Sequence, residues 1–483
     1  MQRLPIRATE ILARCAATKV KAGMSEVELD VFWKREESER WDGGNATLIR
    51  NATIWTGAQA GAEVLYGDLL LLKGVVKGVG HIPRSKLTQF NLPPALAAQY
   101  ALEQAYSKFK ENLTIVDARG RWLTPGLVDL HSHIGLSSAP SLAGAEDVNS
   151  PNGPVLPFLR SIDALNTHDD SRVLALVGGV TSALVLPGSG NAIAGQAVVV
   201  KWRKRRGFGP GAMVVEPSPE LHISGSAAEY YTNSTPWRYL KQACGEILRQ
   251  YGTRMDSAWS YRAAYEEARK IKRAQDEYCA TAEAGLWSAI EGKEFPENLQ
   301  WEMLVDVLRG RVKVNNHCYE AVDLDDLVRL TNEFKFPLAA IHHASEAWLV
   351  PDLLKQTYGG PSAVAMFATT HRYKRESFRG SEFAPRVLAD HGIAVVMKSD
   401  HPIVNCRYLV HEAQQAHHFG LAPDLALASV TSTSAAAAGL SHRLGVLREG
   451  ADADAVLWDA HPLQIGAVPL GVSHFYVPGF KEK

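Results

Sequence analysis

Downstream of Pro125-Gly126, apolar runs of strand length alternate with stretches of helical periodicity. The runs are TSALVL at 181–186, AVVVKW at 197–202, RVKVNN at 311–316, PLAAIH at 337–342, SAVAMF at 362–367 and IAVVMK at 393–398. A strand covered on both faces reads as a continuous apolar run, and strands alternating with helices predict parallel βα units. Upstream, TLIRNATIW, GDLLLLKGVVKGVG and LTIVDARGRWLTPG are β-rich and separated by glycine turns, as hairpins require. A helical insert is predicted at 92–112, and YRAAYEEARKIKRAQDEYC reads as an exposed amphipathic helix. GVLREGADADAVLWD predicts a turn and one more strand. The predicted fold is therefore α/β: a (β/α)8 TIM-like barrel over 126–442 and a small β-sandwich domain built from both chain ends, 47–125 plus 443–483. Residues 1–46, with the charge run KREESER at 34–40, are expected to drape over the surface.

Composition narrows the class. With 483 residues there is room for a barrel of about 250 residues and a second domain. The 46% hydrophobic and 21% charged content rules out wholesale disorder. A formal net charge of −1 supplies no basic field, so no nucleic-acid partner is expected. No apolar run approaches the ~20 residues that span a bilayer. The start, MQRLPIRATEILARC, lacks an apolar signal core, so a cytoplasmic location is expected for the chain as it stands. Asn45, Asn51, Asn112 and Asn233 each begin a glycosylation sequon, which points to secretion or anchoring if the amino terminus is incomplete. The five cysteines are odd in number and widely spread, and read as reduced thiols. A small-molecule substrate is expected, and homo-oligomerisation stays open.

In such barrels chemistry sits where strands end. Leu127–His133 (LVDLHSH) puts Asp129, His131 and His133 on one face by strand alternation, with Val128 and Leu130 opposite. Two imidazoles so spaced can converge on one metal ion, and a buried carboxylate can orient a ring or steady the strand. A bare HxH is more often a pair of surface histidines; its place at the end of an apolar strand is what counts. Three more strands end in metal-capable groups: His317, the pair His342-His343, and Asp400 in SDHP. Alternation lets only one of the adjacent histidines point inward. A mixed His/carboxylate set suits zinc or a similar divalent ion. Such an ion activates water for attack on a carbonyl, and Asp400 is the candidate general base and acid. No GxSxG elbow is present, and no cysteine has a triad setting.

TPGLVDLHSH, His317, HHASE, KSDHP and GVLREGADADAVLWD, in that order, resemble the amidohydrolase superfamily of metal-dependent hydrolases. GGVTSALVLPGSGNAIAGQA, LKQACGE, FAPRVL and MKSDHP resemble its imidazolonepropionase-like branch and fungal proteins labelled carbohydrate esterase family 9. The resemblance runs from about Thr47 to Pro462. It implies metal ligation by His131 and His133 on the first strand, His317 on the fifth, His343 on the sixth and Asp400 on the eighth. His343 is preferred to His342 because it aligns with the family's HG-x-E pattern. On the fourth strand the family places a carbamylated Lys or a Glu, and LKQACGE offers Lys241 and Glu246. They lie five positions apart, on opposite faces, and Glu246 is favoured because it is anionic as encoded. One or two divalent ions are implied, zinc foremost. GEI at 245–247 departs from the family's GEN, and PLGVSHFYVPGFKEK is expected to lack the closing strand.

His168, in NTHDD, and Lys374, in THRYKR, are candidate substrate contacts, although loop caps and solvated charge runs look the same. The basic cluster KWRKRR at 201–206 reads as a solvated loop. Together these features predict hydrolysis of an amide or cyclic amide C–N bond. The alternatives are deacetylation of an N-acetyl sugar, or a degenerate barrel acting as a binding module.

Overall fold

A computed structural model describes residues 7–100, 111–203, 209–223, 227–472 and 475–476. Eight strands form one sheet in sequential order: β1 Leu127–Ser132, β2 Val180–Val185, β3 Ile193–Lys201, β4 Arg238–Ala243, β5 Val312–Cys318, β6 Leu338–His343, β7 Ala363–Met366 and β8 Val395–Met397. The sheet curls back on itself just past β8. The Asp400 N–H donates to the His131 carbonyl at 2.9 Å, and the His133 N–H to the His401 carbonyl at 3.0 Å. This is the expected TIM-like barrel, with one difference in strand direction. β3 runs antiparallel to both β2 and β4. The 186–192 link is too short for the crossover of a dozen or more residues that parallel neighbours need.

Val128, Leu130, Leu184, Val199, Ala340, Ala365 and Val396, from strands around the barrel, pack together as its inner core. A larger cluster joins the outer strand faces to the helices. The predicted amphipathic helix spans Arg254–Glu283 and buries Tyr261, Ala264, Tyr265 and Ala268 on one face. Its start is fixed by a capping box between Thr253 and Asp256.

The chain ends meet in a second sheet, where Trp122–Pro125 pairs antiparallel with Ala455–Trp458. The stretch expected to lack a closing strand supplies two, Pro469–Val472 and Phe475–Tyr476. The 92–112 insert has a helix only over Pro94–Gln99, and Glu111–Asp117 is a strand; residues 101–110 lie outside the described residues.

Charge runs expected at the surface are partly interior. In the 1–46 segment Phe32, Arg35 and Arg40 are buried. Arg35 pairs with Asp452 at 2.5 Å, and Arg443 bonds Glu39, Glu216 and Asp452. Lys201, read as a loop residue, closes β3 and pairs with Asp452 and Asp454. Buried ions persist where opposite charges compensate their lost hydration, which a charge count along the sequence does not reveal. The thiol expectation is likewise corrected. Cys15 is bonded to Cys279 and Cys244 to Cys318, which leaves Cys406 as the free, buried cysteine. Among the described residues no helix is long and apolar enough to cross a membrane.

Candidate metal centre

The predicted strand-end residues converge at one mouth of the barrel. Asp400 Oδ1 lies 2.9 Å from His131 Nε2 and 3.1 Å from His133 Nε2, and Asp400 Oδ2 lies 3.8 Å from His343 Nδ1. Ligand atoms of His131, His343 and Asp400 all fall within 4.8 Å of one another. His317 joins through its ring, whose centroid is 4.3 Å from that of His343. All of these side chains are buried.

Local backbone irregularities make this convergence possible. Along β1 a register shift between Asp129 and Ser132 breaks the alternation. Val128 and Leu130 belong to the inner core, and Asp129 does not share the site face with the histidines. Its carboxylate accepts the Ser399 N–H at 3.1 Å and the Ser399 hydroxyl, tying the end of β1 to that of β8. At the end of β6 both histidines turn inward, contrary to the alternation rule, because His343 and Ala344 have φ of 70° and 45°. His342 Nδ1 lies 2.8 Å from His131 Nδ1, and its Nε2 bonds the Asn315 amide oxygen at 2.9 Å. It therefore backs His131 from behind, an outer partner of the kind that orients a ligating ring.

On the fourth strand it is Lys241, not the favoured Glu246, that stands beside the histidines. Lys241 is fully buried and its Nζ is 3.4 Å from His131 Nε2. Glu246 lies beyond the strand in a half-buried 3-10 turn and makes no hydrogen bond or ion pair with the histidines. The preference for Glu246 rested on encoded charge, whereas the strand's own register carries Lys241 inward. Lys374 stands near this mouth, its Nζ 5.1 Å above the Tyr319 ring, which stacks on His343. His168 is exposed on its loop, its N–H donating to Asn166 Oδ1 at 2.9 Å, and makes no contact with the cluster.

Sequence reasoning missed three residues here. Lys398 donates to His343 Nδ1 at 2.9 Å and to Asp400 Oδ2 at 3.2 Å. Its position two before Asp400, at the end of an apolar strand, was a usable signal. Alternation admitted only one of the adjacent pair, and His342 was set aside because His343 aligns with the family's HG-x-E pattern. Glu376, in the loop after β7, is buried 3.9 Å from His317 Nε2, and no local pattern marks it.

Burial lowers the pKa values of His131, His317, His342 and His343 well below the usual histidine range, which favours the neutral imidazole, the form that ligates a metal. Burial opposes the charge on Asp400, but His131, Lys398 and the hydrogen bonds from His131 and His133 outweigh it and hold the carboxyl well below its usual range. Burial brings Lys241 down to about 7 and Lys398 down to about 8. Glu376 is raised to about 7, again by burial.

The donor set fits a divalent ion. Neutral imidazoles and an ionised carboxylate are the ligand types that zinc and its neighbours take. The buried Nε2 atoms of His317 and His343 have no hydrogen-bond partner, an arrangement costly to keep unless a ligand satisfies them.

The sequence pattern of the amidohydrolase family matches residues 208–477. The chain belongs to the amidohydrolase family. It is 40% identical over 462 residues to the amidohydrolase tasK of Hapsidospora irregularis, which covers 91% of this chain but only 44% of that relative's own length. An imidazolonepropionase of Cupriavidus pinatubonensis is 25% identical over 368 residues, covering 71% of this chain and 76% of its own. Among solved structures, an amidohydrolase from Thermotoga maritima superposes with a TM-score of 0.69 at 28% identity, over 88% of this chain and 97% of that one. The family is generally metal-dependent, and this chain brings the His-His-Asp group His131, His343 and Asp400 together.

Proposed function

We propose that this chain hydrolyses an amide or other C–N bond, linear or cyclic, in a small molecule, using one or two divalent ions, zinc foremost. The observation that carries the reading is Asp400, ionised, buried and hydrogen-bonded between His131 and His133. His131, His133, His317, His343, Asp400 and Lys241, the last as its carbamate, are the residues that would hold the metal. A bound divalent ion supplies polarisation of the carbonyl and acidification of water. Asp400 accepts the proton of the attacking water as the C–O bond forms, and returns it to the nitrogen as the C–N bond breaks. Lys398 and the histidine pair keep the Asp400 oxygens oriented for both transfers. Lys374, at the mouth, anchors a substrate carboxylate.

A turnover screen over N-acyl amino acids, dipeptides, cyclic amides and acetylamino sugars, with metal analysis of the purified protein, tests this reading. Turnover confined to acetylamino sugars would move it to a deacetylase, and absence of stoichiometric metal to a binding module. His131→Ala and His133→Ala are expected to lose bound metal and activity together. Full metal occupancy in the double variant, by elemental analysis, would place the ion elsewhere.

A pH dependence follows with its sign. Ligation needs neutral imidazoles, and burial has moved the protonation of His131, His317 and His343 well below the ordinary value of about 6.5. Activity is therefore retained through neutral pH and falls only in acid well below 6.5, as the rings take up protons and release metal. Asp400, whose pKa is also lowered, stays ionised over that range. Bound metal that persists in acid as far as the folded protein survives would contradict histidine ligation.

A further inference from the structure

The loop after β7 carries a buried carboxylate that the hydrolytic chemistry above does not use. Glu376 sits on the short turn Arg375–Ser377 and is shielded from solvent. Its Oε2 accepts the Glu246 N–H at 2.9 Å, which pins the carboxylate against the loop after β4. Gly245 permits this approach: its φ is +96°, and a Cβ there would collide with Oε2. The other oxygen, Oε1, has no hydrogen-bond partner. It lies 3.9 Å from His317 Nε2 and 3.9 Å from Lys374 Nζ, too far to bond either. Lys374 is held by the faces of Tyr319 and Tyr373, at 5.1 and 5.5 Å, and the two phenol oxygens are 3.2 Å apart. A carboxyl and an ammonium thus stand side by side next to the histidine cluster, in a long ion pair with no hydrogen bond between them. A buried acceptor without a donor calls for an explanation, and beside a cluster of metal-ligating side chains a donor that arrives with a ligand is one.

We propose that Glu376 and Lys374 form a bipolar subsite that reads the α-amino-acid part of a substrate. Glu376 Oε1 accepts the N–H of the nitrogen, and Lys374 takes the neighbouring carboxylate. This rests on the amide-hydrolase reading and names its substrate class, N-acyl α-amino acids and dipeptides. In such compounds two bonds of about 1.5 Å separate nitrogen from carboxylate carbon, so both groups fall within reach of partners 3.9 Å apart. An acetylamino sugar offers an N–H without the carboxylate and engages half of the subsite.

The test is equilibrium binding of the released half of the substrate to the metal-loaded protein by calorimetry. The common L-amino acids are titrated, and the tightest is compared with its 2-hydroxy acid and with the amine that lacks the carboxylate. The wild-type protein is expected to prefer the amino acid to each analogue by about 10-fold or more, the scale of one charge-assisted hydrogen bond. Glu376→Gln should erase the preference over the hydroxy acid with metal content unchanged. Lys374→Met, a change at a partly exposed side chain, should erase only the preference over the amine. A merely structural Glu376 would weaken all three ligands alike. Equal discrimination in Glu376→Gln and wild type, alongside amide turnover, would overturn the subsite and leave the hydrolase reading standing. Intact discrimination with no amide turned over would support the subsite and remove the hydrolase reading.

Discussion

Asp400→Asn is expected to lower kcat by about 10²–10⁴-fold on whichever amide the screen identifies, with folding unchanged. The side chains are nearly isosteric, and the carboxamide oxygen still accepts from His131 and His133. The backbone tolerates the change as well. Asp400 has φ 54°, in the left-handed region that Asn enters almost as readily as Asp. What Asn lacks is the basicity to take a proton from water. Thermal unfolding would confirm an intact fold, and elemental analysis would separate lost proton transfer from lost metal. A near-normal rate would make Asp400 a ligand or a bystander.

The second large effect is expected at Lys241. Lys241→Ala should lower metal affinity by more than the about 10–100-fold typical of losing an outer partner, whereas Glu246→Gln should be mild. Lys241 is enclosed beside His131, with its Nζ also donating to the Pro187 carbonyl at 3.3 Å. As an ammonium it would repel a divalent ion. Burial brings its pKa down to about 7, so the neutral amine is present near neutrality. That amine can add to carbon dioxide, forming an N–C bond and releasing one proton, and the resulting carbamate is an anionic ligand. Bicarbonate or short carboxylates should therefore restore part of the activity of Lys241→Ala. The opposite pattern, with Glu246→Gln losing metal and Lys241→Ala unaffected, would return the ligand role to Glu246.

Particular residues mark how far the sequence could be read. The apolar runs ending in His317, His343 and Asp400 were legible because a buried strand leaves a contiguous signal, and a polar group just past it stands out. The alternation rule failed at two strand ends. A register shift in β1 separates Asp129 from the histidines it was grouped with, and positive φ at His343 turns both members of the pair inward. Strand ends are where bulges concentrate, so period-two reasoning is weakest where the chemistry sits. The direction of β3 was hidden for a different reason. Its apolar run is the same whichever way the strand runs, and only the short 186–192 link distinguishes the two.

The sequence by itself determined the barrel, the sheet shared by the two chain ends, and the histidines and aspartate that meet at the mouth. These follow from local patterns of burial, which every strand carries in its own residues. Only the tertiary structure decided that Lys241 rather than Glu246 faces the cluster, that His342 braces His131, and that Glu376 reaches the site from a loop 130 positions beyond the backbone N–H it holds. Those contacts join segments that share no periodicity. The energy that selects them is the pairing of buried polar groups across the closed barrel, and it exists only after the strands have come together.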